Sequence, residues 1–474
     1  LFHIVDSGER SPQEWLKAHQ PQAVLGFDPW LHSHAQVQRW EGVARKQTAN
    51  LIDMVWKERP AEPAESAFAH PLEYAGEASA SKRERVIAAM HAEAQALLIT
   101  QPEAIMWLLN IRGSDIPFNP LALCYALLER SGRITLISAP RDWPELKEVH
   151  HLPLTLFKGD PQSVLSNYAR LQLDPGVTVE AIWQAAEQAG CRLLEADDPV
   201  EQLKAVKNQT EMEGMRNAHR RDGRALSKFL NWLNEQDSFS ELQAAQQLEQ
   251  FRQEMSGELY RGPSFDTISG AGPNGAIVHY RVTPHTDRQI QPGELYLVDS
   301  GGQYPDGTTD VTRTIVHGIP SAEMVDRYTR VLKGHIAVAR TIFPRGTTGS
   351  QLDALARQYL WEIGEDYAHG TGHGVGSYLC VHEGPQRISK RAGDVPLAPG
   401  MVLSNEPGYY KEGEYGIRIE NLVLVVNSKK LNYYEFEILT LAPLDERLIN
   451  RAMLSDAEQR WLDAYHQRVA EVLS

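Results

Sequence analysis

The sequence is poor in the materials of a covalent or membrane-bound framework. Its 474 residues include three cysteines, Cys124, Cys191 and Cys380. They are far apart and odd in number, and no two form a CxxC knuckle, which argues against a disulfide scaffold and a thiolate zinc site. They are expected to be buried thiols of a protein in a reducing, cytoplasmic compartment. Long apolar runs are missing as well. The longest, Leu121 to Leu128, is far short of the roughly 20 residues that cross a bilayer, so no membrane partner is expected. The opening LFHIVDSGERSP has no basic n-region and no apolar h-region, and so does not read as a signal peptide. It also lacks an initiator Met, so the numbering is expected to begin inside a longer chain. Finally, there is no surplus of positive charge. The net charge of −15 runs against the basic face that nucleic acid requires.

What is present is an ordinary globular balance, with 42% hydrophobic and 23% charged residues. Near the start, GFDPWLHS reads as a strand end and a turn, and HSHAQVQRWEGVARKQTANLIDMVW as one helix. KERPAEPAESAFAHP, rich in Pro and Ala, reads as a linker. From 77 to 207, helical SKRERVIAAMHAEA, PEAIMWLLNI and SVLSNYARLQ alternate with strand-like ALLIT, RITLISA and LTLFK, the pattern of a three-layer α/β domain. Residues 208–474 open on the long helical stretch QTEMEGMRNAHRRDGRALSKFLNWLNEQ. A second helix, SELQAAQQLEQFRQEM, follows, and then strands and helices that do not strictly alternate, so this part is expected to be α+β. The last helix starts at a capping box, Ser455 and Glu458.

The stretch HGTGHGVG, His369 to Gly376, places two histidines four apart among glycines too dense for a helix. The spacing is therefore not a helical zinc motif, and candidate partners lie elsewhere. In ELYLVDSGGQYPDGTTDVTRTIVHG, two strand patterns flank the turn signal PDG. A turn centred between Tyr304 and Pro305 sets Asp299 opposite Asp310, with Cβ atoms ~5 Å apart, where like charges repel. A shared proton or a metal ion would offset that repulsion. In another register both aspartates face solvent. MVLSNEPGYY carries Glu406 at the end of an apolar strand. YGIRIENLVLVV reads as an interior strand with Ile417 and Ile419 on one face and Arg418 and Glu420 on the other. A carboxylate there needs a partner, either Arg418 in a structural ion pair or a cation. Taken together, Asp299, Asp310, His373, Glu406 and Glu420 carry −4, which two divalent cations balance. This oxygen-rich set with one imidazole suits Mn²⁺ better than a structural zinc.

LVDSGGQYPDGTTDVTRT, HGTGHGVGSYLCVHEGP, SNEPGYY and GIRIEN resemble the metal-site motifs of the pita-bread metallopeptidases. SFDTISGAGPNGAIVHY, WLLNIRGSD and GFDPWL are similar to the long Xaa-Pro aminopeptidases of that superfamily. The resemblance implies an α+β, pita-bread catalytic domain (208–474) preceded by two creatinase-like α/β domains, 77–207 and a truncated one at 1–76. It implies an exopeptidase that removes the first residue of peptides with proline second, through a hydroxide bridging two divalent metal ions, Mn²⁺ foremost with Zn²⁺ or Co²⁺ as alternatives. In that scheme Asp299 holds one ion through both oxygens, Asp310 and Glu420 bridge the pair, and His373 and Glu406 complete the other. Glu406 also shuttles the proton to the leaving prolyl nitrogen. His382 stabilises the oxyanion, His369 and His279 position the residues around the proline, and Arg418 anchors this network. NIRGSD is expected either to shape the entrance or to be an ordinary turn, and the assembly is expected to be a homodimer. The rival readings are a prolidase restricted to Xaa-Pro dipeptides, a metal-free creatinase-type amidinohydrolase and a non-catalytic binding module.

Overall fold

Local signals start most elements where the pattern places them. The longest helix, Gln209–Glu235, begins at a capping box in which Asn208 accepts from the Glu211 N–H and Glu211 accepts from the Asn208 N–H. The C-terminal helix, Asp456–Leu473, starts at the expected Ser455–Glu458 box. The computed structural model describes residues 5, 10–138, 154–157, 161–391, 393 and 395–473. The chain divides into two compact units. The first comprises Leu1–Ala69, Ala78–Asp115 and Leu121–Val200, and the second His70–Glu77, Ile116–Pro120 and Glu201–Ser474.

In the first unit, six described strands form one mixed sheet. Its order is Arg192–Glu195, Arg170–Leu173, Ala96–Ile99, Tyr125–Glu129, Ile134–Ile137 and Leu154–Phe157. Apolar side chains of this sheet pack with Ile182, Trp183 and Ala186 of the helix Glu180–Gln188, as a layered α/β arrangement requires. Three readings from sequence are corrected here. The helix expected over 32–56 is broken into His34–Gln38, a strand at Arg45–Gln47 and Leu51–Val55. Gly42 lies between the pieces at φ +79°, a conformation that ends a helix. The helix expected in SVLSNYARLQ stops at Leu165, and Arg170–Leu173 is a strand between two parallel neighbours. The expected linker contributes Phe68–Ala69 to a short antiparallel pair with Ile111–Arg112. In NIRGSD, Asn110 is left-handed at φ 51°, Ile111–Arg112 is the strand of that pair, and the buried Asp115 carboxylate accepts from the Glu65 and Leu123 amides.

The second unit is α+β. A three-stranded antiparallel sheet (Ile268–Ala271, Leu295–Ser300, Val311–Val316) has its own core, in which Tyr296, Val298 and Ile315 meet Phe229, Leu230 and Leu233 of the long helix. Among the described residues, a six-stranded antiparallel sheet runs in the order Phe343–Pro344, Tyr433–Ile438, Asn421–Asn427, Val402–Asn405, Gly372–Gly374, Glu383–Ile388. It buries Val423, Val425 and Leu403 with Val331, Leu332 and Ile336 of the helix Ala322–Ala339 and Leu352 and Ala356 of the helix Gly349–Trp361. Cys124 and Cys191 are buried as expected, whereas Cys380 is only half-buried, a departure from the sequence reading. No described helix is long and apolar enough to cross a membrane.

Candidate metal centre

The hairpin after Leu295 turns at Pro305–Asp306, one residue later than the centre taken from sequence. Asp299 therefore faces Thr312 across the strands, not Asp310. The slip is two positions in register. A two-residue period returns Asp310 to the same face, as a diagonal neighbour of Asp299 just before its strand begins. Glu420 is also placed differently: it falls in the break between Tyr415–Arg418 and Asn421–Asn427, not in mid-strand. The alternation nevertheless holds. Ile417 and Ile419 enter the hydrophobic core, while Arg418 and Glu420 turn to the other side. The glycines of HGTGHGVG serve the sheet more than any ion. A Cβ on Gly372 would stand 2.0 Å from the Ser404 carbonyl oxygen, and one on Gly374 2.3 Å from that of Glu383.

All nine residues singled out in the sequence line one cavity of about 620 Å³: Asp299, Asp310, His373, Glu406 and Glu420, with His279, His369, His382 and Arg418. Asp310, His373 and Glu420 each offer a ligand atom within 4.8 Å of the others. His373 Nε2 is 3.5 Å from Asp310 Oδ2 and 3.4 Å from Glu406 Oε1. The His373 Nδ1–H donates to the Gly374 carbonyl at 2.9 Å, which leaves Nε2 as the free electron pair, the arrangement typical of a metal-binding imidazole. Asp299 Oδ1 is buried with no hydrogen-bond partner among the described residues, a polar atom that a cation would satisfy.

The charges point the same way. Burial, and then repulsion from Asp299 and Glu406, holds the Asp310 carboxyl well above the usual carboxylate range. Burial and repulsion from Asp310, Glu406 and Asp299 do the same to Glu420. Asp299 is raised less, because burial and Glu406 are opposed by Arg418. Burial also acts to raise Glu406, but His373, His369 and Arg418 outweigh it and the net shift is downward. Carboxylates crowded to this degree out of water fit divalent cations, and the donor set is that of hard or borderline ions.

Arg418 does not pair with Glu420. Its guanidinium donates to Asp299 Oδ2 at 2.6 Å, to Thr312 Oγ1 at 3.1 Å and to the Tyr410 hydroxyl at 2.7 Å. The Thr312 hydroxyl donates in turn to Glu420 Oε2 at 2.7 Å. Tyr410 also meets His369 Nε2 at 2.8 Å, and His369 Nδ1 bonds the Gly370 carbonyl, so both ring nitrogens of His369 are held within the protein. Tyr410, Thr312 and Ser404, whose hydroxyl donates to Glu406 Oε1 at 2.9 Å, were passed over in the sequence. All three lie in quoted motifs or beside a ligand, the only signal that could have found them. His382 sets its ring edge-on to His373 at 4.2 Å. It is exposed in part to solvent, yet desolvation, and secondarily His373, lowers its pKa to about 4. His279 is exposed at the cavity mouth.

Comparison with known proteins agrees with this geometry. Residues 213–427 match metallopeptidase family M24, residues 432–474 the C-terminal region of peptidase M24, and residues 58–211 the creatinase/prolidase N-terminal domain. A probable Xaa-Pro aminopeptidase P from Sordaria macrospora is 40% identical over 99% of this chain and 82% of its own length. The crystal structure of an X-prolyl aminopeptidase from Caenorhabditis elegans, described as a cytosolic enzyme with a di-nuclear active site, is 34% identical. It covers 98% of this chain and 79% of its own, with a TM-score of 0.92. An Xaa-Pro dipeptidase from Bacillus anthracis is 25% identical with a TM-score of 0.64, and covers 77% of this chain. With a pita-bread catalytic domain, a creatinase-type domain before it and relatives this similar along nearly its whole length, the chain belongs to metallopeptidase family M24, among the Xaa-Pro aminopeptidases.

Proposed function

We propose that this chain removes the N-terminal residue from peptides with proline in second position, using two divalent ions held by Asp299, Asp310, His373, Glu406 and Glu420. The observation that carries the reading is the convergence of these five side chains, from strands and strand ends remote in sequence, on one cavity that also holds His279, His369, His382 and Arg418. Ions bound there supply Lewis-acid polarisation of the scissile carbonyl and acidify the attacking water. Mn²⁺ is the first choice on an oxygen-rich donor set, with Zn²⁺ and Co²⁺ as alternatives.

The residues divide the remaining work. Glu406, kept ionised by the Arg418 charge and the Ser404 hydroxyl, takes the proton of the attacking water. As the carbon–nitrogen bond breaks, it returns that proton to the prolyl nitrogen. His382 is neutral at physiological pH, so its imidazole N–H donates to the carbonyl oxygen as negative charge develops. Arg418 and Tyr410 fix His369 in one orientation against the substrate. Phe265, Ile268, Val278 and Tyr280 supply an apolar wall suited to a pyrrolidine ring. Family resemblance carries the further expectations of a cytoplasmic homodimer, tested by fractionation and light scattering.

The deciding experiment uses protein stripped of metal and reloaded with Mn²⁺, Zn²⁺ or Co²⁺. Tripeptides such as Arg-Pro-Pro are compared with Xaa-Pro dipeptides and with a peptide carrying alanine second. Cleavage of the tripeptide that depends on both metal and proline is expected. Cleavage of dipeptides alone makes the protein a prolidase, and a purified protein that binds no divalent ion makes it a binding module.

A further inference from the structure

The segment Tyr367–His373 carries four residues of the cavity, His369, Gly370, Gly372 and His373, yet regular structure begins only at Gly372. Its rigidity has to come from outside. The helix Gly349–Trp361 presents Asp353 and Arg357, one turn apart and both buried. Arg357 spends its five N–H donors in one place. Nε and one Nη2–H reach the two Asp353 oxygens at 2.6 and 3.1 Å. Nη1 reaches Asp366 Oδ1 at 2.8 Å and the Tyr367 carbonyl at 2.7 Å. The second Nη2–H reaches the His369 carbonyl at 2.8 Å. Its plane lies 3.8 Å over the Tyr367 ring.

Asp353 completes the grip. Its Oδ1 accepts the Thr371 hydroxyl at 2.6 Å, and that oxygen lies 2.5 Å from the Tyr367 hydroxyl. The Thr371 carbonyl accepts the Glu406 N–H at 2.8 Å. The pair is therefore one hydrogen bond from the His369 backbone and two contacts from that of Glu406. Neither Asp353, Arg357 nor Thr371 lines the cavity. A buried ion pair is a weak source of stability and is often replaceable by apolar side chains. Its fixed fork geometry instead dictates where its partners stand.

We propose that the Arg357–Asp353 pair is a positioning device that sets the placement of His369 and, through Thr371, of Glu406. This rests on the proposed peptidase reading for its kinetic arm only. Thr371→Val removes the hydroxyl at nearly constant volume, Thr371→Ser keeps it, and Arg357→Lys keeps the charge without the fork. Hydrogen–deuterium exchange of the metal-free proteins reads the placement directly. Segments 367–374 and 403–407 of Thr371→Val and Arg357→Lys should exchange at least tenfold faster, with the helix Gln209–Glu235 unchanged and Thr371→Ser like wild type. In metal-loaded protein at wild-type metal content, Thr371→Val should lose about 10- to 100-fold in kcat, the scale of an ångström misplacement. KM should move less than about threefold, and Thr371→Ser should recover most of the loss. Unchanged exchange in Thr371→Val overturns the proposal whatever the substrate proves to be. So does full kcat with faster exchange, or a Thr371→Ser as impaired as Thr371→Val. A wild-type protein that cleaves no Xaa-Pro peptide removes the peptidase reading, while the exchange comparison still decides the positioning.

Discussion

Arg418→Met tests the electrostatic logic of the centre, because the same side chain should matter differently with and without cations. In the metal-free protein Arg418 is the buried positive partner of Asp299, at 2.6 Å, and it donates to Tyr410 and Thr312. Removing one partner of a buried pair costs about 3–5 kcal/mol, since the remaining charge is left uncompensated. A unit of this size shifts by about 2 °C per kcal/mol, so Tm should fall by roughly 6–10 °C. When cations are bound, Asp299 has a second source of compensation, and Arg418 becomes a like charge beside them. The destabilisation should therefore shrink by half or more in saturating Mn²⁺, and the variant should bind Mn²⁺ at least as tightly as wild type. Turnover should still fall, because Tyr410 and His369 lose their anchor. Differential scanning calorimetry of both proteins, each in chelator and in Mn²⁺, completes the cycle. An equal Tm gap under the two conditions would refute the idea that Asp299 is shared between Arg418 and an ion.

Glu406→Gln should keep the fold and lose about 10²–10⁴ in kcat, as expected when a positioned acid–base is removed; steady-state assay beside circular dichroism checks this, and wild-type turnover contradicts the role. Asp310→Asn alters one of three clustered candidate ligands and should leave substoichiometric metal after dialysis, read by elemental analysis. His219 is buried, its Nδ1–H donating to the Met215 carbonyl at 2.7 Å, and burial lowers its pKa to about 4 from an ordinary 6.5. The unfolded chain thus binds a proton that the folded chain refuses between those values. The corresponding stability is complete above about pH 6.5 and falls as pH drops, the loss reaching roughly 3 kcal/mol by pH 4. Urea titrations in chelator should show His219→Gln with a slope flatter by up to one proton in that window, and parallel slopes would rule His219 out.

The candidate metal ligands were legible in the chain because burying charge is expensive wherever it happens. Carboxylates beside apolar strand patterns, as at Glu406 and Glu420, demand a partner before any coordinates are known, and their sum of −4 names the partner as cationic. The α+β character of 208–474 and the long capped helix at Gln209–Glu235 followed from periodicity and caps, which are local properties. Folding in three dimensions decided the rest. Asp299 meets Thr312 and not Asp310 because the turn settled on Pro305–Asp306. Arg418 chose Asp299 over its near neighbour Glu420 because the chain breaks between two strands at that point. No spacing rule joins Arg357 to the His369 carbonyl or Tyr410 to His369. Hydrogen-bond energy depends on angstrom-scale distance and direction between segments that are remote in sequence, so a linear pattern lists the donors and acceptors, and packing alone assigns the pairs.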